Sequence, residues 1–287
     1  MKKRFWSLFV LVLSMMAIPA RGAEFAFEAG ADVVSSYLWR GQYNGGLSVQ
    51  PEVLIGFDTE HTNFRVGAWA NIGASDWKFS SLKNPTDPSL ATQFFPEVDI
   101  IATLDLWGLT VGFSHYYYCE GNFLSFGDIN NVKANENSSQ TEVQLGYNFE
   151  TLFSIPLYVN WYTMVAGDDG YLIDPENKAL GYKRAYSSYI EVGYDIVLPL
   201  DITLGLQVGM TPWKSMYTDY EGGFAVNNVA AKLNVPFRLG DIVELDLFAQ
   251  GSINTYNMKK DELFISGAGE AKTMQRLNGC IGLGIWF

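Results

Sequence analysis

The chain contains little cysteine, little histidine and few basic residues. Its two cysteines and two histidines leave no Cys/His zinc site that we would propose. Lysine and arginine number 19 against 31 aspartate and glutamate residues, and the formal net charge is −12. Nucleic-acid binding needs a basic face, so this balance argues against nucleic acid as a partner. We expect no metal and no cofactor.

A long apolar run, which a membrane-spanning helix needs, is also missing outside the N-terminus. The run Phe5–Ile18 follows three basic residues and precedes the small-residue stretch Ala20-Arg21-Gly22-Ala23. It is too short for a comfortable membrane-spanning helix, and its flanks suit cleavage after Gly22 or Ala23. The sequence therefore predicts a secretory signal peptide over residues 1–23 and a mature domain over 24–287. If the mature chain enters a membrane, it does so as strands.

From residue 24 onward, apolar and polar residues alternate in successive segments. In one segment, Val98, Ile100 and Ala102 alternate with Asp99 and Thr103. A period of two places the two sets on opposite faces of a strand. Segments of about a dozen residues suit tilted transmembrane strands. We count twelve such segments, and an even number places both termini on one side of a barrel, the periplasmic side.

The connections between these segments alternate in length. Short ones are expected at 58–63, 107–109, 150–155, 197–201 and 237–241. Long ones are expected at about 75–96, 121–138, 167–185, 212–225 and 254–273, with a shorter one at 41–46. The sequence thus predicts an all-β protein, a twelve-stranded antiparallel transmembrane β-barrel with short periplasmic turns and long extracellular loops. A soluble twelve-stranded protein is the alternative, but it would expose most of these apolar faces to water.

The last strand ends on an aromatic residue. Phe287, Ile285 and Leu283 share one face, while the residues between them are small or polar apart from Trp286. An apolar face that runs to a terminal phenylalanine is typical of the final strand of a bacterial outer-membrane barrel. There the closing aromatic belongs to the signal read by the insertion machinery. We assign Phe287 and Ile285 to this signal, and we expect that machinery, outer-membrane lipid and lipopolysaccharide as partners.

Two short motifs carry a resemblance to a known family. Ser35-Ser36-Tyr37-Leu38-Trp39-Arg40-Gly41-Gln42 is followed by Phe64-Arg65-Val66-Gly67-Ala68-Trp69-Ala70-Asn71. The pair resembles the TorF-like family of small bacterial outer-membrane barrel proteins, in which a Ser-x-Tyr-x-x-Arg-Gly motif ends the first strand. His115-Tyr116-Tyr117-Tyr118, with Gly121, is similar to the same family. The resemblance implies a barrel with a porin-like role and carries no substrate with it.

The faces predicted to point into the lumen are mostly acidic. The predicted pore-lining set is Glu28, Asp32, Arg40, Glu52, Arg65, Asp99, Asp105, Glu142, Glu191, Asp195, Lys232, Glu244, Asp246 and Arg276. Glu97 is assigned to the same side. Through the turn at 237–241, Lys232 is expected opposite Glu244 or Asp246. Carboxylates in a confined pore attract cations and repel anions, so an open pore should prefer cations.

The aromatic residues are predicted to divide between the two faces. Those expected outward, as an interfacial girdle, are Trp39, Tyr117, Tyr147, Trp161, Tyr186 and Tyr194. Tyr37 shares the apolar face of the first segment with Trp39. Those expected inward are Trp69, Tyr116, Tyr118, Tyr158, Tyr162, Tyr189, Phe248 and Trp286. The inward set either fills a modest barrel or stacks on a flat or sugar-like solute. The same assignment places Cys119 and Cys280 on opposite faces of distant strands, so two free thiols are expected.

No catalytic constellation is predicted. Some outer-membrane barrels hydrolyse lipid with a serine and a histidine on the lipid-facing wall. Here His115 is assigned outward while Ser114 points inward, and His61 falls in a short turn. Acidic residues at 168–169 and 174–176 could hold a cation or bridge to lipopolysaccharide, but their spacing matches no EF-hand loop. We expect a protein that is not an enzyme.

The function expected from the sequence is that of an outer-membrane porin-like channel for small solutes, preferentially cationic or neutral. One alternative is a barrel that transports nothing and serves a structural, adhesive or lipopolysaccharide-binding role. A lipid-modifying enzyme is a further alternative. The sequence does not identify the solute, and it leaves open whether loops enter the lumen.

Overall fold

A computed structural model describes residues 22–73, 97–121, 137–174, 176–177, 180–218, 220, 222–240, 242–255 and 277–287. Twelve antiparallel strands form a closed barrel, as the sequence predicted. Successive strands pair with each other all the way round, and the last strand pairs with the first. At the closure, Gly30 lies opposite Trp286 and Val34 lies opposite Gly282.

The barrel strands are nine to fifteen residues long. They are β1 (Glu24–Val34), β4 (Ser48–Asp58), β5 (Thr62–Gly73), β6 (Glu97–Leu106), β7 (Leu109–Gly121), β8 (Asn137–Asn148), β9 (Leu157–Gly167), β12 (Ser188–Val197), β13 (Thr203–Thr211), β14 (Ala225–Leu239), β15 (Val243–Ile253) and β16 (Leu277–Trp286). Two further pairs of short strands lie outside the barrel sheet: β2 (Tyr37–Trp39) with β3 (Gln42–Gly45), and β10 (Gly170–Leu172) with β11 (Tyr182–Arg184).

The two faces of the sheet differ as the alternation requires. Apolar side chains project from the outer face, among them Phe27, Ile55, Leu145, Leu247 and Ile281. Most of their inward neighbours along the strands are polar or small, and some, such as Phe248, carry rings that fill the lumen. Such an apolar outer band is stable only against hydrocarbon, which makes this a transmembrane barrel of the outer-membrane type. Among the described residues, no helix is long and apolar enough to cross a membrane.

Short connections gather at one end of the barrel, here called the turn end, together with both chain termini. At Trp107-Gly108, both φ angles are positive (49° and 86°), and Leu106 pairs directly with Leu109. Two positive φ angles define the type I′ turn, whose twist matches a hairpin. The longest connection there holds one helical turn, α1 (Glu150–Phe153). The opposite end is the loop end, where the predicted loops around 75–96, 121–138 and 254–273 fall largely outside the described residues.

One predicted strand register is wrong. Lys232 pairs with Gln250, whereas Glu244 pairs with Arg238 and Asp246 with Pro236. Strand β14 continues to Leu239 and therefore passes through most of the segment that the sequence predicted as a turn. The Lys232 ammonium instead lies 4.3 Å from the ring centroid of Phe248.

Inward aromatic rings cover glycines on the neighbouring strand. A Cβ added at Gly193 would lie 2.1 Å from Tyr158, one at Gly282 would lie 2.2 Å from Phe248, and one at Gly30 would lie 2.4 Å from Trp286. Tyr189 covers Gly209 in the same way, at 2.0 Å. These glycines make room for large rings in the lumen, so aromatic filling of the interior is built into the strands.

Substituting Gly209 should therefore destabilise the barrel. The Cβ of Gly209→Ala would collide with the hydroxyl of Tyr189, a fully buried side chain that cannot turn aside. We expect the free energy of unfolding in lipid vesicles to fall by about 1–3 kcal/mol, as is usual for overpacking. Gly251→Ala is the control, because nothing lies within 4 Å of a Cβ there. Equal stabilities of the two variants would contradict this account.

The C-terminal strand offers a second test. The backbone N–H of Phe287 donates to the carbonyl of Ala29 at 2.9 Å, so the last residue takes part in closing the sheet. Phe287→Ala keeps this backbone bond and removes only the aromatic side chain that we assign to the insertion signal. We expect it to lower the amount of assembled barrel in cells and to increase periplasmic degradation, because a sheet that is not inserted and closed exposes strand edges. Leu245→Ala, which removes an outward side chain opposite Ile285, should be milder. Equal losses would show that Phe287 has no special role in insertion.

Candidate functional site

A short hairpin lies between the first two barrel strands. The chain leaves β1 at Val34, runs through β2, turns at Arg40-Gly41 and returns through β3. Both turn residues have positive φ, 50° and 76°, and Trp39 pairs with Gln42 across them. This is again the type I′ pattern, which normally selects asparagine, aspartate or glycine at its first position. Arginine there is strained, so its side chain must make contacts that compensate.

The hairpin Tyr37–Gly45, here called the lumen hairpin, points into the barrel and contacts several sides of its wall. The ring of Tyr37 lies 5.5 Å from that of Trp69 on β5. Leu38 packs against a buried cluster from β1, β15 and β16, made of Val34, Phe248 and Cys280. The side-chain amide of Asn278 on β16 donates to the carbonyl of Gly41 at 2.8 Å.

This arrangement corrects two predictions. The first barrel strand does not continue to Arg40, and the connection at 41–46 is one arm of the hairpin rather than an outer loop. Trp39 was predicted in the outer girdle and Tyr37 on the same apolar face, but both face the lumen, where Tyr37 is buried. The chain bends at Ser35-Ser36, and the same alternation resumes after the bend, now inside the barrel.

Arg40, at the tip of the lumen hairpin, is held by a carboxylate from the far wall. Its Nη1 and Nη2 donate to the two oxygens of Glu142 at 2.5 and 2.7 Å. Nη1 also donates to the hydroxyl of Tyr217 at 2.5 Å, and Tyr116 donates to Glu142 at 2.9 Å. The side chains of Arg40 and Glu142 are 8% and 2% exposed. A buried, bidentate pair of this kind is strong and fixes orientation.

Aromatic rings surround the same guanidinium. Its central carbon lies 4.0 Å from the ring centroid of Tyr162, 4.6 Å from Trp39, 5.1 Å from Tyr189 and 5.8 Å from Tyr217. All four distances fall within the range of about 6 Å over which cation–π attraction is significant. We call Glu142 and these four rings the arginine cage.

One member of the cage comes from a segment that the sequence assigned to an outer loop. Tyr217 belongs to a short 3-10 helix, Met216–Thr218, in the connection between β13 and β14, and its side chain is fully buried. The hydroxyls of Thr211 and Ser215 hydrogen-bond at 2.8 Å and fix the start of this connection. The segment has no period-two alternation, so no sequence signal pointed to its entry into the lumen.

The remaining predicted pore-lining residues that the structure describes lie on the inner wall, several with polar partners. Arg65 donates to Glu28 at 2.5 Å and to Asp58 at 2.7 and 2.8 Å near the turn end. Side-chain donors reach four other acids: Thr110 to Asp105, Gln207 to Glu191, Asn234 to Asp246 and Arg238 to Glu244. Asp32, Glu52 and Asp195 lie on the same inner face of their strands. Arg276 is outside the described residues.

Two further acids lie beside the lumen hairpin. Glu97 and Asp99 on β6 are 6% and 5% exposed, and Tyr37 hydrogen-bonds to Glu97. Oδ1 of Asp99 is buried and meets no hydrogen-bond donor within the described ranges. The half of the lumen that contains the hairpin therefore combines carboxylates with aromatic rings.

His115 faces outward, as predicted, but it is not part of an exposed aromatic band. It is 2% exposed, and its Nδ1 lies 2.9 Å from the hydroxyl of Thr141 on the adjacent strand. Ser114 is on the other face, opposite Glu142. His61 lies in a turn beside Glu60.

The acidic loop near residue 169 serves the fold. Asp169 is buried and accepts hydrogen bonds from the backbone N–H and the hydroxyl of Ser187, at 2.9 and 2.5 Å. Burial raises the pKa of Asp169, and the hydrogen bonds from Ser187 oppose that rise. Burial also raises the pKa of Asp168. Across the described part of the chain, no group of three or more His, Cys, Asp or Glu residues is arranged to hold a metal ion.

Cys280 is a free, buried thiol on the inner face, as the sequence predicted. The side chain of Cys119 lies outside the described part.

Known proteins resemble this chain in architecture. No protein family and no curated protein matches it by sequence. Among solved structures, OmpF of Salmonella typhi in complex with daunomycin is 7% identical, with 92% of this chain and 97% of that chain covered and a TM-score of 0.39. An outer membrane channel from Pseudomonas putida F1 is 11% identical, with 94% and 96% covered and a TM-score of 0.39.

An anion-selective porin from Comamonas acidovorans is 8% identical, with 92% and 98% covered and a TM-score of 0.30. At these identities the likeness concerns the fold alone. That fold is the outer-membrane β-barrel, which the closed sheet and its apolar outer band already define.

The pair at the centre of the arginine cage should contribute strongly to stability. Glu142→Gln leaves a buried guanidinium without its counter-charge, and breaking a buried pair in this way costs about 3–5 kcal/mol. The control is Glu244→Gln, whose partner Arg238 is 79% exposed, and exposed pairs are worth about 0–1 kcal/mol. Urea unfolding in lipid vesicles measures both variants. A loss for Glu142→Gln no larger than that for Glu244→Gln would contradict the arrangement described.

Proposed function

We propose that this protein is a porin-like channel of the bacterial outer membrane that passes small solutes, preferentially cationic or neutral. The observation that carries this proposal is the charge of the inner wall of a closed barrel. Solutes would pass the constriction formed by the lumen hairpin. We propose no enzymatic activity.

The inner wall has more acidic than basic side chains. Within the described part of the chain, no ion pair joins the following inward acids to a basic residue: Asp32, Glu52, Asp99, Asp105, Glu191, Asp195 and Asp246. Lys232 contributes a positive charge in the neighbourhood of Asp32. A confined, low-dielectric passage focuses the field of such an excess of acids, which raises the local concentration of cations.

Polar and aromatic groups on the wall suit neutral solutes as well. The side-chain amide of Gln50 donates to Asn71 at 3.1 Å, and that of Gln144 donates to Asn160 at 3.2 Å. Amide groups and rings can hydrogen-bond and stack with polar, uncharged molecules without a charge requirement. We therefore propose that the channel excludes anions and passes both cations and neutral solutes, without selecting one particular cation.

The orientation we propose places the turn end and both termini in the periplasm. Tight turns at one end and long connections at the other are the usual asymmetry of outer-membrane barrels. The lumen hairpin enters from the loop end, so in this orientation it would narrow the passage near its extracellular entrance.

A specific observation favours the second candidate function, a barrel that passes nothing. The lumen hairpin contacts β5, β8 and β16, which lie on different sides of the barrel, and Tyr217 adds a second connection to the same space. A permanently closed barrel would serve a structural, adhesive or lipopolysaccharide-binding role. Current through the folded protein decides between the two functions.

Orientation can be tested with protease sites in two exposed segments. A cleavable tag inserted at Gly223, in the connection between β13 and β14, should be cut on intact cells. The same tag at Glu60, in the turn between β4 and β5, should be cut only after the outer membrane is opened. The reverse pattern would overturn the orientation, and cutting of both tags on intact cells would show that the barrel is not correctly assembled.

Ion selectivity tests the function itself. In planar bilayers under a KCl gradient, the reversal potential should show a preference for K⁺ over Cl⁻. Asp105→Asn and Asp195→Asn should each weaken that preference, because each removes a carboxylate from the inner wall near the turn end. Asp201→Asn, which changes an exposed acid in a turn outside the lumen, is the control and should leave it unchanged. An anion preference, or no current through a correctly folded barrel, would contradict the proposal.

A further inference from the structure

We propose that the arginine cage is a binding site for small cations that carry a guanidinium group, and that Arg40 is its tethered occupant. A free guanidinium solute and the lumen hairpin would then exclude each other from the same place. The proposed cation preference is thereby extended to solutes that carry a guanidinium group. Binding of such a solute in the arginine cage does not require that the barrel conducts ions.

The recognition groups belong to the wall and not to the hairpin. Glu142 lies on β8, Tyr162 on β9 and Tyr189 on β12, while Tyr217 comes from the connection after β13. Only Trp39 moves with Arg40. Withdrawal of the hairpin therefore leaves a buried carboxylate and three rings without the cation that they now surround.

The wall part of the cage is held in place by contacts that do not involve Arg40. The Tyr116 hydroxyl donates to Glu142 at 2.9 Å, and the Asn228 amide donates to the Tyr189 hydroxyl at 3.1 Å. The rings of Tyr189 and Tyr217 are 5.3 Å apart, and the short helix that carries Tyr217 is fixed by its own hydrogen bonds. A site that is ordered before its ligand arrives binds at a lower entropic cost.

The geometry selects guanidinium over ammonium. Both oxygens of Glu142 are engaged in parallel by two nitrogens of one planar group, and the Tyr162 ring lies 4.0 Å from the central carbon of that group. A planar fork can bond to a carboxylate in this way and offer its flat face to a ring, whereas an ammonium ion is a compact point charge with stronger hydration.

Several features allow the lumen hairpin to leave the arginine cage. Its strands are three and four residues long, and an isolated two-stranded hairpin is marginally stable at best. The left-handed conformation of Arg40 is a strain that its contacts in the cage must offset, which reduces the net stability of the docked hairpin. The barrel does not need the hairpin for closure, because Val34 and Ser48 on the adjoining strands pair directly. A competitor for the cage can therefore shift the population of the hairpin.

Calorimetric titration of the folded barrel in detergent tests the site without any need for current. Arg40→Ala empties the cage, and methylguanidinium should bind this variant saturably and at least about tenfold more tightly than methylammonium does, because it alone can bond in the bidentate manner. The parent protein should bind methylguanidinium more weakly than the variant, since its own arginine competes.

Two double variants isolate the carboxylate. Adding Glu142→Gln to Arg40→Ala should weaken methylguanidinium binding by about tenfold or more, as expected for loss of charged hydrogen bonds. Adding Asp246→Asn instead, which removes an inward acid outside the cage, should leave the affinity unchanged. If Arg40→Ala does not fold, Arg40→Lys replaces it, and its weaker tether should still allow tighter binding than in the parent.

Three results would overturn the proposal: no saturable binding to the folded variant, equal affinity for methylammonium, or insensitivity to Glu142→Gln. These failures are distinct from failure of the proposed function. A barrel that binds methylguanidinium but carries no current would overturn the channel and leave the site standing.

Discussion

Hydrocarbon offers no partner for a backbone amide or carbonyl, and this constraint determines the rest of the molecule. The twelve strands satisfy it by pairing with each other and by closing β1 on β16. Closure fixes which side chains face lipid and which face the lumen, because successive residues point to opposite sides. The acids, amides and rings of this chain are thereby gathered in one enclosed space, where charges interact strongly and need partners.

The charged side chains in the lumen are compensated differently toward its two ends. Near the turn end, acids are paired with wall groups such as Arg65, or are left to set the charge of the passage. Further toward the loop end, a segment of the chain enters the lumen and brings the positive charge itself. The bidentate contact between Arg40 and Glu142 anchors the hairpin, and four aromatic rings surround the guanidinium. One of these rings, that of Tyr189, also covers Gly209 on the neighbouring strand. In the proposed channel, the unpaired acids near the turn end would set the ion selectivity, and the hairpin held by Glu142 would narrow the passage.

The barrel could be predicted from the sequence because alternation and turn chemistry are local. Trp107-Gly108 is sufficient to predict a turn, and the alternation of apolar and polar residues identifies the two faces of each strand. The lumen hairpin could not be predicted from the same signals. Tyr37 and Trp39 continue the parity of Val33 across the bend, so the pattern shows no break where the chain leaves the wall. Strand parity predicts that Arg40 faces the lumen, but its side chain reaches the lumen from the tip of the hairpin and not from a barrel strand. Tyr217 gives no sequence signal, because its position depends on contacts with residues distant in sequence.

The central claim is that the lumen hairpin occupies the passage of a channel. Because Val34 pairs with Ser48, residues 35–47 can be replaced by a two-residue Asn-Gly turn that joins β1 to β4 without disturbing the wall. The most direct measurement is the single-channel conductance of the parent and of this variant, both shown to be folded by their heat-modifiable mobility. We predict a conductance several times larger without the hairpin. Equal conductances, or no current through either folded barrel, would contradict it.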